Sequence, residues 1–251
     1  MNKSKLLSIV VISLTFVFLI SEILYTDPIN LILRVSLLPL LTWLYCISVK
    51  SKNIYFLSFL IFYSIGQLTI IFDILDTSNF IYNLSYYVGN VSTILAYLFL
   101  ILEIFKSINM TSILNKYPVH VMILFVLDIY SVYLVTEITI NSGNSTILFE
   151  VIDIIIETVY NIVVMLLLSI SLINYISRDS KKAMNLLLGS LCIVFSEIMQ
   201  VASYYVTSEA FVKHTYIVLL VMAFTFYYLQ SKMSYIKHGI YKESVLKGYE
   251  S

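Results

Sequence analysis

The sequence predicts an all-α membrane protein, a bundle of eight transmembrane helices. Of its 251 residues, 60% are hydrophobic and only 12% are charged, which is about half the charged share of a typical soluble protein. The mean hydropathy is +0.93. Eight apolar stretches are each long enough to cross a hydrocarbon core of about 30 Å. A soluble enzyme is excluded, because too few charged groups remain to cover a water-exposed surface.

The apolar stretches follow one another with short connections, of which Asn-Ser-Gly-Asn at 141–144 is the clearest loop. Pro28 and Pro118 lie where helices are expected to begin, and Pro39 is expected to kink its helix. The N-terminal apolar run is interpreted as an uncleaved first span. We expect one domain over 1–236 and a tail over 237–251. The predicted spans are 6–25, 29–48, 53–75, 83–105, 117–138, 148–175, 183–206 and 211–236.

The basic residues predict the orientation. Thirteen of the 15 Lys and Arg residues fall on one side of the eight spans, leaving Arg34 and Lys213 for the other. Because cytoplasmic loops carry the excess of basic residues, both termini are predicted to be cytoplasmic. We expect the protein to be integral to the inner membrane of a bacterium.

The same composition bears on partners and cofactors. The net charge is zero, and no long basic run indicates a nucleic-acid partner. Cys46 and Cys192 lie singly in apolar runs, away from any cluster of histidines. We therefore predict no disulfide, no metal site and no cofactor.

Three acidic residues and one amide fall near the middle of predicted spans: Asp128, Glu157, Glu197 and Gln67. Counting 1.5 Å of rise per residue places each about 15–20 Å from the nearest helix end. Ionisable groups at that depth are costly and usually face the interior of a bundle. They are therefore candidates for a functional site.

Polar residues also form stripes on single helix faces. The span at 148–175 carries them at i, i+3, i+7 and i+11, namely Glu150, Asp153, Glu157 and Asn161. The span at 183–206 has a similar stripe of Glu197, Gln200 and Tyr204. Residues at these spacings share a helix face. The stripes predict a polar cleft that opens away from the cytoplasm, with its floor at Gln67, Glu157 and Glu197.

An alternative interpretation is that these groups only hydrogen-bond one another and hold the helices together. That alternative stays open for Gln67, Asn161, Gln200 and Asp128. For Glu197 and Glu157 a functional site is the preferred interpretation, because a buried carboxylic acid is an expensive helix contact.

A weak internal repeat joins the two halves of the chain. Gly66-Gln67 and Ser196-Glu197 each place a small residue before a polar one at mid-span. Their two spans run in the same direction, because an even number of crossings separates them. We therefore expect two parallel four-helix repeats, related by an axis along the membrane normal.

A set of polar and small residues follows in a recognisable order: Arg34 and Pro39, Gly66-Gln67, Gly89 and Tyr97, Tyr160 and Met165, Ser196-Glu197, and Gln230. This order resembles the YhhN/TMEM86 family of eight-helix membrane proteins, whose characterised members are lysoplasmalogenases. The resemblance spans roughly residues 29–232. The chain departs from the family pattern at three positions: Gln67 replaces the first acid, Glu197 replaces an Asp, and Tyr97 replaces a histidine.

The resemblance implies hydrolysis of the vinyl ether of a single-chain alkenyl phospholipid, with a lysophospholipid as the ligand. Such chemistry needs one acid and a second carboxylate, as in two-carboxylate glycoside hydrolysis. Glu197 is the candidate acid, Gln67 lies at the family's first acid position, and Glu157 or Asp128 is the candidate second carboxyl.

The candidate substrate-binding residues are Arg34, Asp73, Tyr97, Asn161, Gln200 and Gln230. Arg34 is expected to pair with the lipid phosphate or to extend toward the interface. Two other classes stay open: a non-catalytic lipid-binding or sensing protein, and a small-molecule or lipid transporter. Self-association is a further open possibility.

Overall fold

In a computed structural model of the chain, the described residues are 13, 15–17, 20, 28–49, 52–72, 79–108, 110–142, 147–205 and 210–233. Across these ranges the regular secondary structure is α-helix throughout. The helices are α1 (Pro28–Ser48), α2 (Ile54–Thr69), α3 (Asn79–Ser107), α4 (Met110–Lys116), α5 (Pro118–Ser142), α6 (Ile147–Arg178), α7 (Lys181–Tyr205) and α8 (Ala210–Ser231).

Seven of the predicted spans coincide with α1 to α3 and α5 to α8, and the first contains helical residues between 13 and 20. Three helical segments are long and apolar enough to cross a membrane, within the described part of the chain: Phe80–Lys106, Val151–Arg178 and Lys181–Ser203. The protein is therefore a helical, membrane-embedded protein. The prediction that α1 and α5 begin at their prolines is confirmed.

Some helix boundaries differ from the prediction. α2 ends at Thr69, where the backbone N–H groups of Ile70 and Ile71 donate to the carbonyls of Gln67 and Leu68 respectively and tighten the last turn. α8 ends at Ser231, and the short helix α4 occupies a segment predicted as a connection. Apolar composition therefore does not fix the helix ends: α2 and α8 end before their predicted spans do, whereas α3, α5 and α6 extend past theirs.

The ends of α1, α3, α6 and α8 meet the starts of α2 and α7 at one end of the bundle. Lys106 of α3 hydrogen-bonds to Tyr55 of α2. Ser48 of α1 lies 3.2 Å from the Tyr228 hydroxyl of α8. We call this end, which carries Lys52, Lys106, Arg178, Lys181, Lys182 and Lys232, the basic end.

The most extensive helix contacts are those of the α2–α3 and α7–α8 hairpins, while α6 packs against α3, α5 and α7. An aromatic column fills the centre. Phe59 of α2 stacks on Phe224 of α8 with ring centroids 5.8 Å apart, and Tyr63 packs edge-on against Phe224 at 4.8 Å. The column links the two hairpins and surrounds the residues described below.

The α2–α3 hairpin is held by a close helix approach. A Cβ on Gly66 would lie 2.7 Å from Thr93 Oγ1 and 3.1 Å from the carbonyl oxygen of Gly89. The Thr69 hydroxyl donates to the Gly66 carbonyl, and the Thr93 hydroxyl donates to the Gly89 carbonyl. Small residues allow such an approach in membrane bundles. Gly66 therefore fixes the position of the neighbouring Gln67.

A two-residue turn joins α6 to α7 at the basic end. Asp179 adopts a φ of 41°, in the left-handed region. The Ser180 side chain then accepts a hydrogen bond from the Ala183 backbone N–H and caps α7. This turn sets the register between the two helices.

Candidate functional site

Glu197 lies on the face of α7 that points into the bundle. Ile193, one turn earlier on the same face, has a relative exposure of 0%. The Tyr97 hydroxyl of α3 donates to Glu197 Oε1 over 2.9 Å, and Tyr97 is fully buried. The Glu197 side chain is half-buried, and its carboxyl accepts a hydrogen bond from a neutral donor.

Two more tyrosines complete this group. The Tyr160 ring of α6 lies 6.0 Å from the Tyr97 ring, and its hydroxyl hydrogen-bonds to the Glu197 carboxyl. The Tyr63 ring of α2 lies 5.7 Å from Tyr97, and the two hydroxyls hydrogen-bond to each other. We call Glu197, Tyr97, Tyr160 and Tyr63 the tyrosine–glutamate cluster. Four helices contribute one residue each.

Two further carboxyls of α6 lie farther from the basic end. Glu157 is three residues before Tyr160, about one turn away, and its Oε1 accepts a hydrogen bond from Tyr86 over 3.0 Å. Asp153 accepts one from Tyr87 over 2.9 Å. Sequence analysis missed both of these tyrosines. The signal that could have indicated them is their position in the sequence, because two adjacent tyrosines of α3 lie at the predicted depth of the acidic stripe on α6.

Gln67 follows Tyr63 by four residues on α2, a spacing that places both on one helix face. Its Oε1 is buried, and no described residue donates a hydrogen bond to it. Gln67 therefore lies about one turn from Tyr63, at the edge of the tyrosine–glutamate cluster.

Asp128 has a separate location. It accepts a hydrogen bond of 2.9 Å from Ser169 where α5 packs on α6. Ser169 and Tyr160 are nine residues apart, which corresponds to about half a revolution at 100° per residue. Asp128 therefore lies on the opposite side of α6 from the tyrosine–glutamate cluster.

The other predicted binding residues are dispersed. Asn161 and Gln200 are half-buried on α6 and α7. Gln230 is fully buried, but it lies at the basic end rather than with Glu197. The side chain of Arg34 and all of Asp73 lie outside the described residues.

No protein-family model, curated protein or solved structure matches this chain. The resemblance to the YhhN/TMEM86 family therefore stays a prediction. The site must be interpreted from its own geometry, which is a half-buried carboxyl that hydrogen-bonds to tyrosine hydroxyls.

Proposed function

We propose that this protein takes a single-chain alkenyl phospholipid into its bundle and hydrolyses the vinyl ether by acid catalysis at Glu197. One observation carries the proposal: the Glu197 carboxyl lies inside a membrane-embedded bundle, 2.9 Å from the buried Tyr97 hydroxyl. A carboxyl at that depth is a functional candidate by default.

The proposal includes eight spans, with the basic end at the cytoplasmic face of a bacterial inner membrane. The gathering of six basic residues at one end of the described bundle supports this orientation. The prominence of the α2–α3 and α7–α8 hairpins, which correspond to each other in a four-plus-four arrangement, supports two parallel repeats.

In the proposed reaction, Glu197 gives its proton to the alkenyl carbon that is not bonded to oxygen, and an oxocarbenium ion forms. Water adds to that ion and returns a proton to the carboxylate. The resulting hemiacetal collapses to a fatty aldehyde and a glycerophospho-alcohol. Hydrogen bonds to a carboxylate are stronger than those to a neutral acid. The hydroxyls of Tyr97 and Tyr160 therefore stabilise the anion that develops in the transition state.

Glu157 and Gln67 flank this centre. Glu157 lies about one turn from Tyr160 and is placed to orient the attacking water by accepting a hydrogen bond from it, while the proton returns to Glu197. Gln67 cannot transfer a proton at neutral pH, but its buried Oε1 can accept a hydrogen bond from water or from a lipid hydroxyl.

The test is fatty-aldehyde release from an alkenyl lysophospholipid by the purified protein. We expect Glu197→Gln to lower the rate by about 100-fold or more, as for loss of a general acid. The matched control is Asp128→Asn, which changes a span carboxyl on the far side of α6 and should leave the rate unchanged. Equal rates for wild type and Glu197→Gln would refute the proposal.

A second candidate is lipid binding without turnover, and the amide at position 67 favours it. In that case the wild type binds the same lipid in a fluorescence-displacement assay but releases no aldehyde. Appearance of aldehyde only in Gln67→Asp would identify a protein that kept the lipid site and lost the chemistry.

A further inference from the structure

A second group of buried polar side chains lies at the basic end, away from Glu197. Glu103 of α3 has a relative exposure of 6%, and Asn174 of α6 and Gln230 of α8 are each at 0%. Burying polar groups this deeply is costly unless they find partners.

Hydrogen bonds between helices place the two amides at one level. Ser190 of α7 lies 2.7 Å from the Ser171 hydroxyl of α6 and 3.2 Å from the Tyr227 hydroxyl of α8. Asn174 and Gln230 follow Ser171 and Tyr227 by three residues, so both lie about 4.5 Å nearer the basic end. They therefore face the same interior layer, against α7.

Glu103 lies near the same level, since it follows Tyr97 by six residues while Ser190 precedes Glu197 by seven. Lys182 of α7 places its Nζ 4.0 Å from Glu103 Oε1, and the two side chains have exposures of 14% and 5%. Tight ammonium–carboxylate hydrogen bonds are about 2.7–2.9 Å long, so this contact is loose. Lys182 lies at the rim, on a flexible stem that can swing toward water.

Three oxygens in this region lack a donor. The Asn53 side chain hydrogen-bonds to the Glu103 carboxyl, but no described residue hydrogen-bonds to Glu103 Oε2 or to either amide atom of Asn174 or Gln230. The side-chain amides of Asn174 and Gln230 can therefore each rotate a carbonyl oxygen toward a bound ligand. The oxygens come from three different helices.

We propose that Glu103, Asn174 and Gln230 form a binding site for a monovalent metal cation such as Na⁺, and that the Lys182 ammonium competes for it. Carboxylate and carbonyl oxygens suit hard cations. A single carboxylate balances one positive charge, which favours a monovalent over a divalent ion. Because Lys182 leaves toward water as the metal ion binds, the exchange conserves the charge of the interior.

The experiment follows thermal unfolding of the full chain in detergent as NaCl replaces choline chloride at constant ionic strength. A ligand of the folded state raises the apparent melting temperature in a saturable manner. We expect such a rise for wild type and none for Glu103→Gln. We expect Lys182→Gln to lower the half-saturating Na⁺ concentration by about tenfold, because the competing ammonium is gone. The matched control, Lys181→Gln at the exposed neighbouring position, should behave as wild type.

The Lys182 variant keeps the test decisive if Glu103→Gln does not fold. A purely structural ion pair predicts that Lys182→Gln is destabilised equally in both salts. That result, or a wild-type shift that choline reproduces, would overturn the cation site. The proposed hydrolase activity does not enter either measurement.

Discussion

The half-buried Glu197 and the buried Glu103 differ in how the fold accommodates them. Glu197 is surrounded by tyrosine hydroxyls, which donate hydrogen bonds without adding charge. Glu103 instead faces the Lys182 ammonium at 4.0 Å. A neutral set of donors allows a carboxyl to lose and regain a proton, whereas a cation beside the carboxyl stabilises its charged form. The comparison separates a group suited to proton transfer from one suited to ion binding.

The largest effect that we expect concerns the charged pair. Lys182→Met leaves Glu103 as a lone buried carboxylate, and we expect a loss of about 3 kcal/mol in the free energy of unfolding. The double variant Glu103→Gln with Lys182→Met removes both charges and should recover most of that loss. Unfolding in choline chloride measures both variants. Equal stability of the single and double variants would show that the pair is not coupled.

The helix approach beside Gln67 provides the next test. Gly66→Ala pushes a methyl group against Thr93 and the Gly89 carbonyl, and we expect a loss of about 1.5 kcal/mol from overpacking. Val91→Ile adds a methylene at a position of α3 that is 46% exposed, and it should change little. Thermal unfolding in detergent compares the two. If Gly66→Ala matches Val91→Ile, the close packing does not contribute to stability.

A smaller effect is expected from the cluster itself. Tyr97→Phe removes the hydroxyl that donates a hydrogen bond to Glu197. We expect the free energy of unfolding to fall by about 1 kcal/mol, in the range of hydrogen bonds inside membranes. Tyr133→Phe removes a hydroxyl from a side chain of α5 that is 60% exposed and serves as the control. If the loss in aldehyde release, expressed as a free energy, exceeds the loss in the free energy of unfolding, Tyr97 positions Glu197 for the reaction.

The smallest effect concerns the two-residue turn between α6 and α7. Asp179→Gly relieves a φ of 41°, and we expect a gain of about 0.5 kcal/mol after the entropy cost of glycine. Asp179→Ala is the matched comparison and should lose stability at the same φ. A gain from alanine would show that the turn adopts another conformation.

Much of the fold could be predicted because apolar length and proline position are local properties. Helix counting also predicts a similar depth for Glu197 and Gln67, but the tyrosines around the Glu197 carboxyl come from three other helices and were not predicted as its partners. Asp128 shows the limit of that approach, since depth alone does not indicate which way a residue faces. A span with no clear apolar face, such as α5, gives no rotational information.

Glu103 was missed for a related reason. It lies two residues before the end of its predicted span, where a charged residue ordinarily reaches the interface. Its burial depends on α2 and α7 converging on α3 at the basic end. That convergence is a tertiary property, and no local pattern in the sequence indicates it.

The short separation of the two glutamates has an energetic consequence. Glu103 follows Tyr97, the hydrogen-bond donor of Glu197, by six residues on α3, which corresponds to about 9 Å along the axis. At an effective dielectric constant of about 20, unit charges at that distance interact by roughly 1.8 kcal/mol. A net change of charge at Glu103 therefore alters an equilibrium at Glu197 by up to about twentyfold. Exchange of the Lys182 ammonium for a sodium ion conserves the charge, so replacing choline with sodium should change aldehyde release by less than that factor.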